Sequence, residues 1–189
     1  MTAVKRSNVF GKNEIIMLIK DMKYDENTGS ERGKFDSVSL FQGEMGIVVY
    51  TDDGASVEYS EKCIEHYNDL ANNGEMLAEI EDKITRFFLY MYDEWKKMGI
   101  YEDIVSDCEE VMKGYKSGRK LTDFLSAPAL YIDAPEGEGI GYCIVADCPW
   151  EPEHQCEIII RDDTVLYAGP CEGETPWGDE DDYYCIWEE

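Results

Sequence analysis

One stretch limits the possible folds more than any other. Across residues 77–99, apolar side chains recur at steps of three and four: Leu77, Ile80, Ile84, Phe87 or Phe88, Met91 and Trp95. That spacing lines one face of an α-helix, while Glu79, Asp82, Lys83 and Arg86 fall on the other. A helix with such an apolar stripe has to be laid on a partner layer. The segments on either side of it supply one.

Upstream, Ser37-Val38-Ser39-Leu40-Phe41 alternates at period two and residues 46–50 are rich in β-branched side chains, with Gln42-Gly43 as the turn between them. Thr51-Asp52-Asp53-Gly54 then closes the second strand with turn chemistry. Downstream, residues 129–132 and 139–146 read as strands. Residues 156–161 and 164–168 read as a hairpin turning at Asp162-Asp163, and Tyr183-Tyr184-Cys185-Ile186-Trp187 as a terminal strand. Residues 14–19 form a short apolar segment, and residues 23–34, with Asn27, Gly29 and Gly33, read as a loop.

Two more helices flank the long one. Ser60 reads as an N-cap with Glu61 in the first turn, Ile64, Tyr67 and Ala71 share a face, and Asn72-Asn73-Gly74 ends the helix. Ile104, Cys108, Val111 and Tyr115 form the stripe of the third, which ends at Gly118, and residues 121–125 add a short helical turn. Strands, then helices, then strands again predict an α+β domain, with about three helices packed on one face of a largely antiparallel β-sheet. A single domain spans 1–189: N-terminal strands over 1–58, helices over 59–126, and C-terminal strands with an acidic tail over 127–189. At this length a chain buries roughly 70% of the surface it exposes unfolded. Its 43% hydrophobic content is enough to fill a core.

The net charge is −25 and it is uneven. Residues 1–50 sum to zero, residues 51–150 to −13 and residues 151–189 to −12, where Arg161 is the only lysine or arginine. Such a surface repels phosphate backbones and anionic bilayers, so nucleic acid and membrane are not expected partners. It draws basic proteins, which leaves mimicry of nucleic acid as a further way to use the same charge. The longest apolar run, residues 87–92, is too short to cross a bilayer. Residues 1–11 show no signal-peptide pattern, and the seven scattered cysteines then read as reduced thiols in a cytoplasm.

The stretch richest in chemical groups is Cys148-Pro149-Trp150-Glu151-Pro152-Glu153-His154-Gln155-Cys156. Cys143, Cys148, His154 and Cys156 are possible zinc ligands, but their spacing lacks the tight Cys pairs of structural zinc sites. Glu151, Glu153, His154 and Cys156 could form an acid–base or metal-dependent site, yet acidic surroundings do not activate a thiol. The simpler reading is structural. Pro149 and Pro152 fix a loop, Trp150 anchors it with its indole N–H seeking a partner, and His154 pins the turn. Glu136-Gly137-Glu138-Gly139-Ile140-Gly141 is glycine-rich but acidic and leads into a strand, which argues against a phosphate cradle. Asp179-Glu180-Asp181-Asp182 lacks the spaced ligands of a calcium loop. His66 reads as structural, and Tyr90, Met91, Tyr92 and Trp95 as core packing.

Residues 60–97, together with Trp150-Glu151-Pro152-Glu153-His154 before a hydrophobic hairpin, resemble a family of uncharacterised bacterial domains with a Trp-acid-x-Glu-His-Gly type motif. The resemblance covers residues 10–169. It departs at Gln155, where the motif has the glycine of a tight turn. It implies no established reaction and no cofactor. It implies kinship with immunity proteins of toxin neighbourhoods, hence inhibitory binding.

These readings converge on a non-enzymatic acidic protein that engages a basic protein partner, with no cofactor and no metal. Glu174, Asp179, Glu180, Asp181 and Asp182 are the candidate partner surface. An enzyme or metal-dependent site around Glu151, Glu153, His154 and Cys156 is the alternative.

Overall fold

The computed structural model describes residues 17–99 and 101–188. Half of the apolar segment at 14–19, residues 14–16, lies outside them; residues 17–19 precede the first strand. Among the described residues seven strands form one sheet: β1 (Lys20–Asp25), β2 (Ser30–Val38), β3 (Gln42–Val49), β4 (Ser126–Ile132), β5 (Gly141–Asp147), β6 (Cys156–Arg161) and β7 (Thr164–Pro170). Their spatial order follows the chain order. Every neighbouring pair is antiparallel except β3–β4, which is parallel. A parallel pair needs a long crossover, and here the crossover holds all three helices: α1 (Val57–Asp69), α2 (Gly74–Met98) and α3 (Glu102–Lys116). The α+β class and the helical layer on a largely antiparallel sheet are as the sequence predicts.

The N-terminal third differs from expectation in detail. Residues 23–34 are not a loop. They belong to the β1–β2 hairpin, which turns at residues 26–29. Its residues are polar because cross-strand ion pairs, not apolar packing, decorate it: Lys20–Asp36 at 2.5 Å, Lys34–Glu44 at 2.5 Å and Arg32–Asp25 at 3.3 Å. The next turn falls at residues 39–41, so Gln42 and Gly43 open β3 rather than forming the bend. Tyr67 of α1 fixes that turn, its hydroxyl lying 3.1 Å from both Ser37 Oγ and the Phe41 N–H.

The helix caps also shift. Ser56, not Ser60, caps α1, accepting the Tyr59 N–H at 3.1 Å, and Glu58 is the acid of the first turn. Ser60 is buried within the helix, its hydroxyl donating to the Ser56 carbonyl at 2.9 Å. Leu70, not Ala71, continues the buried face. Asn73 caps α2 by accepting the Met76 N–H at 3.1 Å, so Gly74 starts that helix instead of ending α1. Gly99 at φ 68° closes α2 in the left-handed conformation that glycine adopts freely.

One core fills the space between helices and sheet. Ile80, Ile84, Phe87 and Phe88 of α2 meet Ile144 and Ala146 of β5 and Cys156, Ile158 and Ile160 of β6. Trp150 is wholly buried against them, its ring centroid 5.3 Å from that of Phe88 and 6.3 Å from that of Phe87. The other face of the sheet carries a smaller cluster of Cys143, Ile159, Tyr167, Tyr183 and Cys185. Residues 183–187 are not a strand. Short 3₁₀ turns at Glu180–Tyr183 and Ile186–Glu188 lead the chain around the β7 edge to α2. There the Trp187 indole donates to the Ala168 carbonyl at 3.1 Å, its ring lies 5.0 Å from Phe87, and Lys83 pairs with Glu188 at 2.7 Å. This strap covers the end strand, whose unpaired backbone groups would otherwise be open to another chain.

Candidate functional site

The turn at residues 148–155 is built around its tryptophan. The Trp150 carbonyl accepts the Trp95 indole N–H at 2.8 Å, tying the loop to α2. Its own indole N–H finds no partner among the described residues, contrary to the expectation for a buried indole. Glu151 follows at 5% exposure, and His154 Nδ1 lies 3.0 Å from its Oε1. A carboxylate oxygen only accepts, so Nδ1 carries the proton. The imidazole is 59% exposed and closes the turn from outside. Gln155 takes φ 65°, so the left-handed turn forms without glycine, and its side chain donates to Asp147 Oδ1 at 2.6 Å. Glu153 is exposed. Cys156 belongs to the helix-side core, and burial pushes its thiol well above the ordinary range. The four residues of the alternative site therefore divide: Glu151 and His154 touch, while Cys156 points into packed apolar surroundings. Among the described residues no group of three or more His, Cys, Asp or Glu side chains is arranged to hold a metal ion.

A different site stands on the opposite, helix-free face. Beside the strap a recess of about 250 Å³ remains, lined by Tyr50, Asp53, Tyr131, Asp133, Cys143, Val145, Gln155, Glu157, Cys171 and residues 173–175. Its geometry follows from strand alternation. Cys156, Ile158 and Ile160 point toward the helices, so Glu157 points away from them, beside Tyr131 on β4 and Cys143 and Val145 on β5. Tyr50 and Asp133 stand just past the ends of the parallel strands β3 and β4. The Tyr50 and Tyr131 rings lie 6.4 Å apart at an interplanar angle of 42°, forming an open wedge.

Glu157 is the unusual member. It is 3% exposed, and its Oε2 has no hydrogen-bond partner among the described residues. Burial pushes its carboxyl up to about 7, with the negative charge of Asp133 adding to the rise. The Cys171 and Cys143 thiols and the Glu172 N–H pull it partly back. Asp133 is also raised, by burial first and then by the charge of Asp53. Burial and the neighbouring Glu157 push Cys171 up to about 11 and Cys143 well above its ordinary value. Both thiols therefore stay protonated near neutral pH and are poor nucleophiles. What the recess offers a ligand is negative charge and aromatic surface.

A family profile described as Domain of unknown function (DUF6985) matches residues 18–175. The chain belongs to that family. Every residue lining the recess lies inside the matched span, and the turn of Trp150 and His154 does too. No curated protein and no solved structure matches the chain.

The five residues predicted as a partner surface stand in different local settings. Glu174 lines the recess. Glu180 and Asp181 border a second depression, of about 550 Å³, with Thr164, Tyr184 and Glu188. Asp182 is partly occupied locally, accepting the Asp179 N–H at 2.7 Å to close the first turn of the strap. Sequence reasoning passed over Glu157, Asp133 and Tyr50. The signal was there for Glu157: one carboxylate in Cys156-Glu157-Ile158-Ile159-Ile160, a run otherwise without charge.

Proposed function

We propose that the chain is a non-enzymatic binding protein that engages a basic protein partner through the helix-free face of its sheet. One observation carries this: Asp53, Asp133, Glu157 and Glu174 converge on a single recess of a chain whose net charge is −25. Excess negative charge around a concave site raises the local concentration of cationic groups and speeds their arrival. Glu180 and Asp181 on the strap extend the field beyond the recess. The biological setting we propose is a bacterial cytoplasm, with the chain acting as an immunity protein that neutralises a basic toxin.

Capture from a host lysate at low salt, followed by reconstitution with the purified partner, tests the reading. A basic protein should bind, release with rising salt, and bind more weakly to Asp53→Lys and Glu174→Lys. Recovery of no basic partner, or of one indifferent to both reversals, would overturn it.

A second reading has one observation in its favour, the Glu151–His154 contact at 3.0 Å. It makes that pair an acid–base or metal-dependent site. Elemental analysis of purified protein separates the two: stoichiometric metal lost in His154→Ala supports the second reading against the first.

A further inference from the structure

The geometry points to the recess as a receptor for one organic cation, an ammonium or guanidinium group on a slender stem, with Glu157 as its counter-charge and Tyr50 and Tyr131 as its wall. The inference rests on the basic-partner reading only for the source of that cation, which is then a lysine or arginine side chain.

A buried carboxylate oxygen without a partner is a group still owed an interaction. Glu157 Oε2 is such an oxygen, on a residue 3% exposed and facing the recess. Buried charge persists in proteins where it is paired. Yet the neighbours of this carboxylate are a second carboxylate, Asp133, the thiols of Cys143 and Cys171 and the Glu172 N–H, none of them a cation. Among the described residues no lysine or arginine lines the recess; Arg32, whose charge reaches Tyr50, is held by Asp25 at 3.3 Å. A neutral donor could satisfy Oε2 but would leave two acids repelling each other. A cation resolves both at once.

The aromatic wedge makes the choice narrower. A cation gains from the face of a tyrosine ring within about 6 Å of its centroid. With the two rings 6.4 Å apart and tilted, a cation beside them shares the recess with the carboxylates that also line it. The size agrees. At about 250 Å³ the recess is smaller than the roughly 300–1,000 Å³ of sites for drug-sized ligands, and suits one side-chain head group.

The pH response follows from the groups that face Glu157: Asp133 beyond β4, Cys143 on β5, and Cys171 and Glu172 beyond β7. A bound cation favours the ionised carboxylate, so affinity rises with pH as Glu157 loses its proton, and binding moves that titration to lower pH.

The test is a titration of the full chain, followed by NMR at the Tyr50 and Tyr131 rings and the Glu157 carboxyl carbon. The ligands are lysine and arginine blocked at both backbone ends, blocked ε-acetyl-lysine as the neutral counterpart, and putrescine as a free amine. We expect saturable shifts with the cations, at least tenfold weaker in Glu157→Gln, and none with ε-acetyl-lysine. Asp133→Asn provides the same test if Glu157→Gln does not fold. Tighter binding of putrescine than of blocked lysine supports the cation site and assigns it to a free amine. Equal binding of the neutral compound, or full affinity in Glu157→Gln, would overturn the inference. Its failure is distinct from failure of the broader reading. A basic protein captured equally by wild type and Glu157→Gln leaves that reading standing without this site. Cations seated in the recess with no protein partner do the reverse.

Discussion

Glu151 and Glu157 are six positions apart and almost equally hidden, at 5% and 3% exposure. Their circumstances are opposite. Glu151 sits in a turn on a buried tryptophan and meets an imidazole at 3.0 Å. Glu157 sits near the start of β6, beside another acid, with one oxygen unanswered. Burial alone therefore does not mark a functional carboxylate. A satisfied one holds structure together, whereas an unsatisfied one facing a recess costs stability that a proton or a ligand restores.

The most forceful way to break the contrast is to remove the anchor beneath Glu151. Trp150→Ala should lower stability by about 3–5 kcal/mol, as expected for emptying a fully buried indole site. Denaturant melts would show it, and loss of the Glu151 turn should accompany it. A loss under 1 kcal/mol would mean that Trp150 does not anchor the turn.

Next in size is the cost of the unanswered acid. Between the ordinary carboxyl value of 4.5 and about 7, the folded chain holds a proton on Glu157 that the unfolded chain has released. This group's contribution is thus fully present below pH 4.5 and is lost as pH rises toward 7. The loss amounts to roughly 3 kcal/mol. Glu157→Gln should remove that slope and be the more stable protein at pH 8. Parallel pH profiles for the two proteins would contradict the assignment.

His154→Ala sharpens the contrast from the other side, because it leaves Glu151 as Glu157 already is. We expect a loss of about 1–2 kcal/mol, the cost of a buried acceptor deprived of its donor. The conservative Glu151→Gln, which keeps an oxygen for the imidazole, should cost less in the same melts. The smallest effect concerns the residue between the two acids. Gln155 holds φ 65°, and Gln155→Gly should gain at most about 1 kcal/mol by relieving it, less what the Asp147 hydrogen bond supplied. A clear destabilisation would show that the side-chain bond outweighs the backbone strain.

How much of this was visible in the sequence depended on which force shaped each element. Helix α2 was legible because its buried face repeats without interruption from Leu77 to Trp95. The β6–β7 hairpin was legible because apolar runs flank Asp162, which takes φ 50° at the turn. The β1–β2 hairpin was hidden, since ion pairs such as Lys20–Asp36 replace the period-two apolar pattern. Residues 183–187 misled because aromatic and β-branched side chains also serve a strap that packs by single anchors, as Trp187 does on Phe87. Around the sites, the turn-pinning contact of His154 could be anticipated from neighbouring residues. The recess could not, because Tyr50, Asp133 and Glu157 meet only after β3 and β4 pair across the whole helical crossover.

That single parallel junction also shapes how the chain reaches its native state. Strands β1–β3 and β4–β7 each zip with immediate neighbours, at little loop-closure cost. Joining the two halves at Gly46–Val49 and Ala129–Ile132 closes the longest loop in the sheet. That seam is the slow, late event expected of non-local pairing, because its loop-closure cost comes before any contact between β3 and β4 can offset it.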